Sequence, residues 1–172
     1  VKAKRAVEEG RFKNQIVPIP IELEDGSREL HIQDEGIRMD ATLGALAGLQ
    51  PMQENGLLTA ANASQICDGA AAVMIANGAT CKRLGLKPLA RIVAMSVIGS
   101  DPVIMLEGPI PATRKVLEKA GLKLDDIDLF EVNEAFGSVP LAWAKAMGAD
   151  LGKLNVNGGA QAIGHPLGST GA

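Results

Sequence analysis

Three short stretches of this sequence combine chemically capable residues with neighbours that would expose them. The first is Asn133-Glu134-Ala135-Phe136, which follows the mostly apolar run Asp128 to Val132. Where a buried strand ends, an open sheet leaves a crevice, and an amide beside a carboxylate can point into it. The competing reading is that Asn133 only caps the helix expected after it, a common task for asparagine. The second stretch is the loop Gly158 to Gly168, GGAQAIGHPLG, whose glycines and small residues let backbone N–H groups approach a substrate. Within it His165 sits between Gly164 and Pro166 on stiff, extended backbone. An imidazole titrates near neutrality and can serve as base, acid or oxyanion donor. A surface loop with an incidental histidine is the plainer alternative. The spacing fits neither the dinucleotide fingerprint nor the P-loop. The third stretch, Thr59 to Ser64 (TAANAS), precedes Asp68 to Val73 (DGAAAV). Small residues at a helix start leave N–H groups open to an anion or polar ligand, although ordinary capping and tight packing are the plainer reading.

Other candidates carry less. His31 lies in a polar region without neighbouring Cys, His or paired carboxylates, so a metal site is not expected there. Cys67 and Cys81 lie in Ala-rich, apparently helical context and read as small space-filling hydrophobes. Neither has the electropositive, glycine-rich surroundings of a reactive thiolate. Trp143 and Met147, an i,i+4 pair, read as core.

The elements that must position these residues follow from punctuation and periodicity. Val1 to Glu9 reads as an amphipathic helix stopped at Gly10. Gln15 to Leu23 alternates apolar and polar residues, with two prolines confining it to an edge or isolated ribbon. A turn is expected at Glu24 to Ser27, a helix at Thr42 to Leu49 and a second turn at Asn55-Gly56. Gly10 to Gly56 as a whole reads as an extended insertion with too thin a core to fold alone. Beyond it the pattern predicts helices over Ser64 to Ala71, Ala79 to Leu84, Pro111 to Ala120 and Glu134 to Met147. Strands are predicted over Ala72 to Ile75, Leu89 to Ile98, Asp128 to Val132 and Leu154 to Asn157. Alternating strands and helices imply an α/β protein with a layered sheet.

Composition excludes several classes. The chain has 172 residues, of which 47% are hydrophobic and 22% charged, as expected of a globular protein of about one domain. Its net charge of −3 is spread evenly, so no nucleic-acid footprint is present. The richest apolar stretch, Ala70 to Ala76, is far too short to span a bilayer. Two cysteines make no disulfide framework, and a cytoplasmic or organellar-matrix setting is expected. No signal peptide is visible. Val1 opens inside an apparent helix and Gly168 to Ala172 reads as a helix just starting, so both ends look like cuts through a longer chain.

Taken together these stretches resemble the thiolase family. The resemblance rests on Asn133-Glu134-Ala135-Phe136, then Asn155-Val156-Asn157-Gly158-Gly159, then Gly164-His165-Pro166, in that order. Thr59 to Ser64 leading into Asp68-Gly69-Ala70-Ala71 adds to it, as do Gly10-Arg11-Phe12, Asp34 to Arg38 and Gly108 to Ala112. It covers essentially the whole chain. The resemblance implies a thiolase-like layered α/β/α/β/α fold, truncated, with an irregular loop domain at the N-terminal end. On that template residues 1–58 belong to the loop domain, residues 59–79 end the N-terminal half, and residues 88–172 form a truncated C-terminal half.

The resemblance also implies a chemistry: thiolytic cleavage of a 3-ketoacyl-CoA, or the reverse Claisen condensation, through a cysteine thioester. His165 takes the place of the family histidine that contacts the nucleophilic cysteine and helps bind the thioester oxygen. Asn133 takes the place of the asparagine that positions an oxyanion-binding water. Ser64, Ala60 and Ala61 match the stretch lining the pantetheine arm of coenzyme A, Ala135 lies near that arm, and Arg38 matches an arginine near the adenine. Many thiolases have glycine where Ala61 stands, which implies a slightly narrower tunnel. No permanently bound cofactor is implied; coenzyme A and acyl-CoA are substrates, and a homodimer or homotetramer is the expected assembly. Cys67 and Cys81 match neither catalytic cysteine of the family, so both are expected outside these residues and the chain alone is expected to be inactive. The alternative is a chain that binds coenzyme A or a partner without catalysis. A carrier-type thiolase with altered motifs is disfavoured because Asn133-Glu134 is intact.

Overall fold

A computed structural model describes residues 1–171. Helix α1, Lys2–Glu8, ends as expected, with Gly10 in the left-handed region at φ 68°. Its Ala3 and Ala6 are buried, and the small face lets the helix sit directly on Gly158, where a methyl group would collide with Ala3. Lys2 Nζ donates to the carbonyls of Leu154 (2.6 Å) and Leu151 (3.2 Å), and Arg11 donates to Asn157 Oδ1 at 2.8 Å. Helix α1 and the Arg11 that follows it thus fasten the start of the chain to its far end.

Next comes a hairpin of β1, Ile19–Glu22, and β2, Arg28–His31, antiparallel with Ile19 opposite His31 and Glu22 opposite Arg28. Its turn is the one expected. Asp25 accepts hydrogen bonds from the Ser27 hydroxyl (2.6 Å) and N–H (2.9 Å), which hold its carboxyl below the usual range, and Gly26 takes φ 80°. The second strand was not expected, since residues 28–31 read as polar and irregular. Helix α2, Leu43–Ala47, capped by Thr42, buries nothing. The insertion is as thin as its composition implied.

After α3, Gly78–Leu84, with Asn77 accepting at its N-cap, the chain builds its core. Helix α4, Pro109–Ala120, starts two residues earlier than expected because Pro109 occupies the first turn, and Gly121 closes it at φ 68°. A 3-10 turn, Leu124–Asp126, leads to α5, Ser138–Met147, whose Trp143 is 2% exposed. Trp143 packs on Phe130 at a ring separation of 5.1 Å and donates its indole N–H to Thr113 Oγ1 of α4 at 2.9 Å. Val132, Val139, Ala144 and Leu154 complete the cluster, with Met147 against its edge. Last comes α6, Ala160–Ile163.

Several expected elements differ. Ser64 to Ala71 is not helical, because residues 62–65 are pulled into extended pairing with two other loops. The helix expected from Glu134 starts at Ser138, for the same reason: Ala135 and Gly137 are tied to that segment. Ala72 to Ile75 and Leu89 to Ile98 form no ladder among the described residues. In the latter, Ala94, Ser96 and Ile98 are half-buried while Met95 and Val97 are exposed, so the alternation is real. Its backbone leans on α4, with Ser96 Oγ donating to Ala112 O at 2.9 Å and Lys119 Nζ to Met95 O at 3.0 Å. Asp128 to Val132 and Leu154 to Asn157 run parallel but share a single bridge, Phe130 with Leu154. Residues 167–171 form turns, and Ala172 lies outside the described residues.

Val73, Met74, Ile75, Leu89, Val93 and Val97 are all more than half exposed. Apolar exposure on unpaired extended backbone favours association. The chain prepared alone is therefore expected to self-associate and to bind a hydrophobic dye. Light scattering coupled to size exclusion checks this, and a dye-silent monomer with one sharp melt would contradict it.

Candidate active site

The site is assembled around residues 62–65, an extended segment hydrogen-bonded on both sides. On one side Ala63 bridges Phe136, Ser64 N–H donates to Ala135 O at 3.1 Å, and Gly137 N–H donates to Asn62 O at 2.8 Å. On the other, Gln65 N–H donates to Ala160 O (3.4 Å), and Gln65 O accepts the His165 N–H at 2.8 Å. The Gln65 amide reaches further, to Gly36 O at 2.9 Å and Gln161 O at 3.1 Å. One strand of small residues therefore joins all three stretches singled out in the sequence. The expected mode was different: the N–H of Ser64 is not free at a helix start but is already bonded, and the hydroxyl is what Ser64 can offer.

Asn133 is exposed, and its side chain makes no hydrogen bond among the described residues. It does not cap α5, whose N-cap position is Gly137, four residues on. With the capping role excluded, the amide is available to solvent or a reactant. Its neighbour Glu134 does not aim its carboxylate into a crevice. Oε1 accepts from Asn155 Nδ2 at 2.9 Å and Oε2 from Gln161 N–H at 3.2 Å, and Gly159 provides the space, since any side chain there would overlap the carboxylate. Asn155 itself is 3% exposed, lies at φ 45°, and returns Oδ1 and Nδ2 to the N–H and carbonyl of Val132, each at 2.9 Å.

His165 is half-buried. Its backbone is held by Gln65, and its Nδ1 lies 2.8 Å from Thr170 Oγ1, which leaves Nε2 as the ring nitrogen free to meet a reactant. Gly164 before it adopts φ 90°, and a methyl group there would overlap Cys67 Sγ. Cys67 is thus packed against the loop as a filler, outside any helix, whereas Cys81 lies in α3. Of the remaining residues singled out, Ala61 is half-buried with its N–H on Thr59 Oγ1, Ala60 is exposed, and Ala135 is half-buried. Arg38 is exposed and forms no ion pair among the described residues.

Two cavities lie to one side. One, of about 460 Å³, is walled by α1, Phe12 to Pro18, Ile32 to Met39 and Ile163. Another, of about 410 Å³, touches Cys67, Asp68 and Gly164. Neither is lined by Asn133 or His165. Sequence reasoning missed Gln65 altogether and gave Asn155 no role of its own. For Asn155 the signal was an asparagine within a short expected strand, three residues before Gly158-Gly159, since asparagine tolerates the left-handed region. No signal marks the reach of Gln65.

Residues 1–79 match the thiolase N-terminal domain family and residues 86–172 the thiolase C-terminal domain family. The chain belongs to the thiolase family, and its fold is a thiolase-like α/β fold. Among curated relatives it is 53% identical to the steroid 3-ketoacyl-CoA thiolase FadA6 of Mycobacterium tuberculosis, over 99% of this chain and 40% of that protein. It is 48% identical to the 3-ketoacyl-CoA thiolase of Marinobacter nauticus, over 99% and 45% of the two chains. It superposes on human mitochondrial 3-ketoacyl-CoA thiolase with a TM-score of 0.94 at 45% identity, covering 99% of this chain and 43% of that one. The crystal structure of that human enzyme in complex with CoA gives 0.91, covering 42% of its chain. The chain thus spans less than half the length of these relatives.

Glu131, beside this site, has its carboxyl raised above the ordinary glutamate range, first by burial and then by the Glu134 charge, with Lys2 opposing. A raised folded pKa means the folded state holds the proton longer, so this group favours folding at low pH. That contribution disappears as pH rises from the usual value of about 4.3 through the raised one. Glu131→Gln, which cannot ionise, is expected to gain stability relative to the parent between about pH 4 and about pH 7. Urea midpoints at the two pH values test this; a constant difference would refute it.

Proposed function

We propose that this chain supplies the oxyanion-binding side and part of the coenzyme A pocket of a thiolase. The enzyme cleaves 3-ketoacyl-CoA with coenzyme A, or catalyses the reverse reaction, a Claisen condensation, through a cysteine thioester. The observation that carries the reading is the double anchoring of His165, by Gln65 through its backbone and by Thr170 through Nδ1, which leaves Nε2 unengaged. With Nδ1–H donated to Thr170 Oγ1, whose own proton goes to Pro166 O at 3.1 Å, Nε2 carries a free lone pair. Such a nitrogen takes the proton from a nearby thiol and leaves a thiolate, the species that attacks a thioester. The resulting imidazolium then donates from Nε2 to the oxygen that becomes negative, alongside a water held by the Asn133 amide. Preorganised donors of this kind account for a large share of rate enhancement because they need no reorganisation as charge develops.

The pantetheine arm of coenzyme A runs past Ser64, Ala60, Ala61 and Ala135, with Arg38 toward the adenine. That a matched crystal structure is described as a CoA complex supports coenzyme A as the ligand. The domain division is residues 1–58 as loop domain, 59–79 as the close of the N-terminal half and 88–172 as C-terminal half; the family boundaries at 79 and 86 support its second break. Cys67, wedged against Gly164, and Cys81, in α3, are neither the nucleophile nor the second catalytic cysteine. Both of those come from parts of the enzyme other than these 172 residues. The enzyme works as a homodimer or homotetramer in the cytoplasm or an organellar matrix. No described helix is long and apolar enough to cross a membrane.

In the complete thiolase that carries this chain, His165→Ala is expected to lower kcat by about two to three orders of magnitude with coenzyme A affinity nearly intact. Steady-state thiolysis of short and long 3-ketoacyl-CoA substrates measures it, and normal turnover would refute the role. Ser64→Ala is expected to raise the Michaelis constant for coenzyme A while kcat holds; an unchanged constant would remove Ser64 from the pocket. The 172-residue chain by itself is expected to give no thiolysis. Turnover by it would overturn the assignment of its cysteines and not that of His165.

A further inference from the structure

Asn155 is a buried polar side chain in an apolar cluster, and it adopts φ 45°, a region that costs a non-glycine residue free energy. Its side chain is fully used. Oδ1 accepts the Val132 N–H, and Nδ2 donates to both Val132 O and Glu134 Oε1, all three at 2.9 Å. The two residues it grips flank Asn133. Glu134 Oε2 in turn accepts the N–H of Gln161, in the first turn of the short helix leading to Gly164 and His165. Gly159 keeps the passage clear, since even a methyl group there would strike the carboxylate.

We propose that Asn155 is a positioning residue: by holding Val132 and, through Glu134, Gln161, it fixes the Asn133 turn at a set distance from the His165 loop. The inference rests on the thiolase reading above, and it gives Glu134 the task of a linker instead of an acid or base. A side chain that merely filled the core would need neither the strained backbone nor the exchange with Glu134. The exposed Asn133 has no hydrogen bond of its own to hold it, so its placement depends on its neighbours. A displacement of about 1 Å at a catalytic group costs about 100-fold in rate.

The test uses the complete thiolase. Asn155→Asp keeps the acceptor for Val132 N–H but sets an acidic oxygen against Val132 O and Glu134. It is expected to lower kcat by about 10- to 100-fold with the Michaelis constant for coenzyme A within about twofold. Adding Glu134→Gln restores a donor–acceptor pair in the opposite sense and is expected to recover at least about tenfold of kcat. Glu134→Gln in the parent, which removes charge with little change of shape, covers the case in which Asn155→Asp fails to fold; it is expected to lose about tenfold in kcat. Hydrogen exchange at the Gln161 amide should quicken in each single variant and slow again in the double. Undiminished kcat in the single variants, a Michaelis constant rising in step with the loss, or no recovery in the double variant would overturn the proposal. If the parent enzyme shows no thiolysis, the functional reading falls, and unchanged exchange at Gln161 in the variants would separately dispose of the clamp.

Discussion

The arrangement depends on one requirement: residues 62–65 must satisfy their backbone groups on both sides at once. A buried or half-buried N–H without a partner costs as much as a lost hydrogen bond, so an extended segment between two loops orders both or neither. Here Ser64 is bonded to Ala135, and Gln65 to Ala160 and His165. Both loops are remote in sequence from this segment, and among the described residues no other strand pairs with both. The small side chain of Ala63 faces its bridge partner Phe136 within this segment. The same constraint explains why a stretch with ordinary helical composition is not helical: its N–H groups are engaged elsewhere.

Much of this was legible beforehand, and the reason is that the legible parts are local. The helix ends at Gly85, Gly121 and Gly148 all fall in the left-handed region that a stop glycine supplies. The turn at Asp25 to Ser27 closes on its own side chains. Trp143 and Met147 face one core because they lie one helical turn apart. The three chemically suggestive stretches were also visible, and they do meet through one segment. Their partners were not visible, because a hydrogen bond between residues about 70 or 100 apart leaves no mark on either sequence neighbourhood.

The strands fail for a different reason. Ala72 to Ile75 and Leu89 to Ile98 have the composition of strands, and in residues 94–98 the burial alternates with the period of two that a strand requires. Composition states which face would be buried; it does not supply the neighbour whose carbonyls complete the ladder. Strand preference is largely a measure of packing against cross-strand neighbours. Without them the chain keeps the extended path and the side-chain alternation but forms no sheet. The hairpin at residues 19–31 is the converse: its second strand, Arg28–His31, has weak strand composition, yet a tight turn places it beside the first.

The glycine-rich loop shows how a motif can be read correctly in kind and wrongly in mechanism. Its glycines suggested N–H groups exposed to a ligand. Gly158, Gly159 and Gly164 instead make room for Ala3, the Glu134 carboxylate and Cys67, respectively. The room matters for the site because each of those neighbours belongs to a different element: α1, the strand end before α5, and the 62–67 segment. A Cβ at any of the three positions would push one element off the loop that carries His165. The loop is therefore constrained from three directions by steric fit before any substrate arrives, and it can lie this close because Gly158, Gly159 and Gly164 carry no side chain.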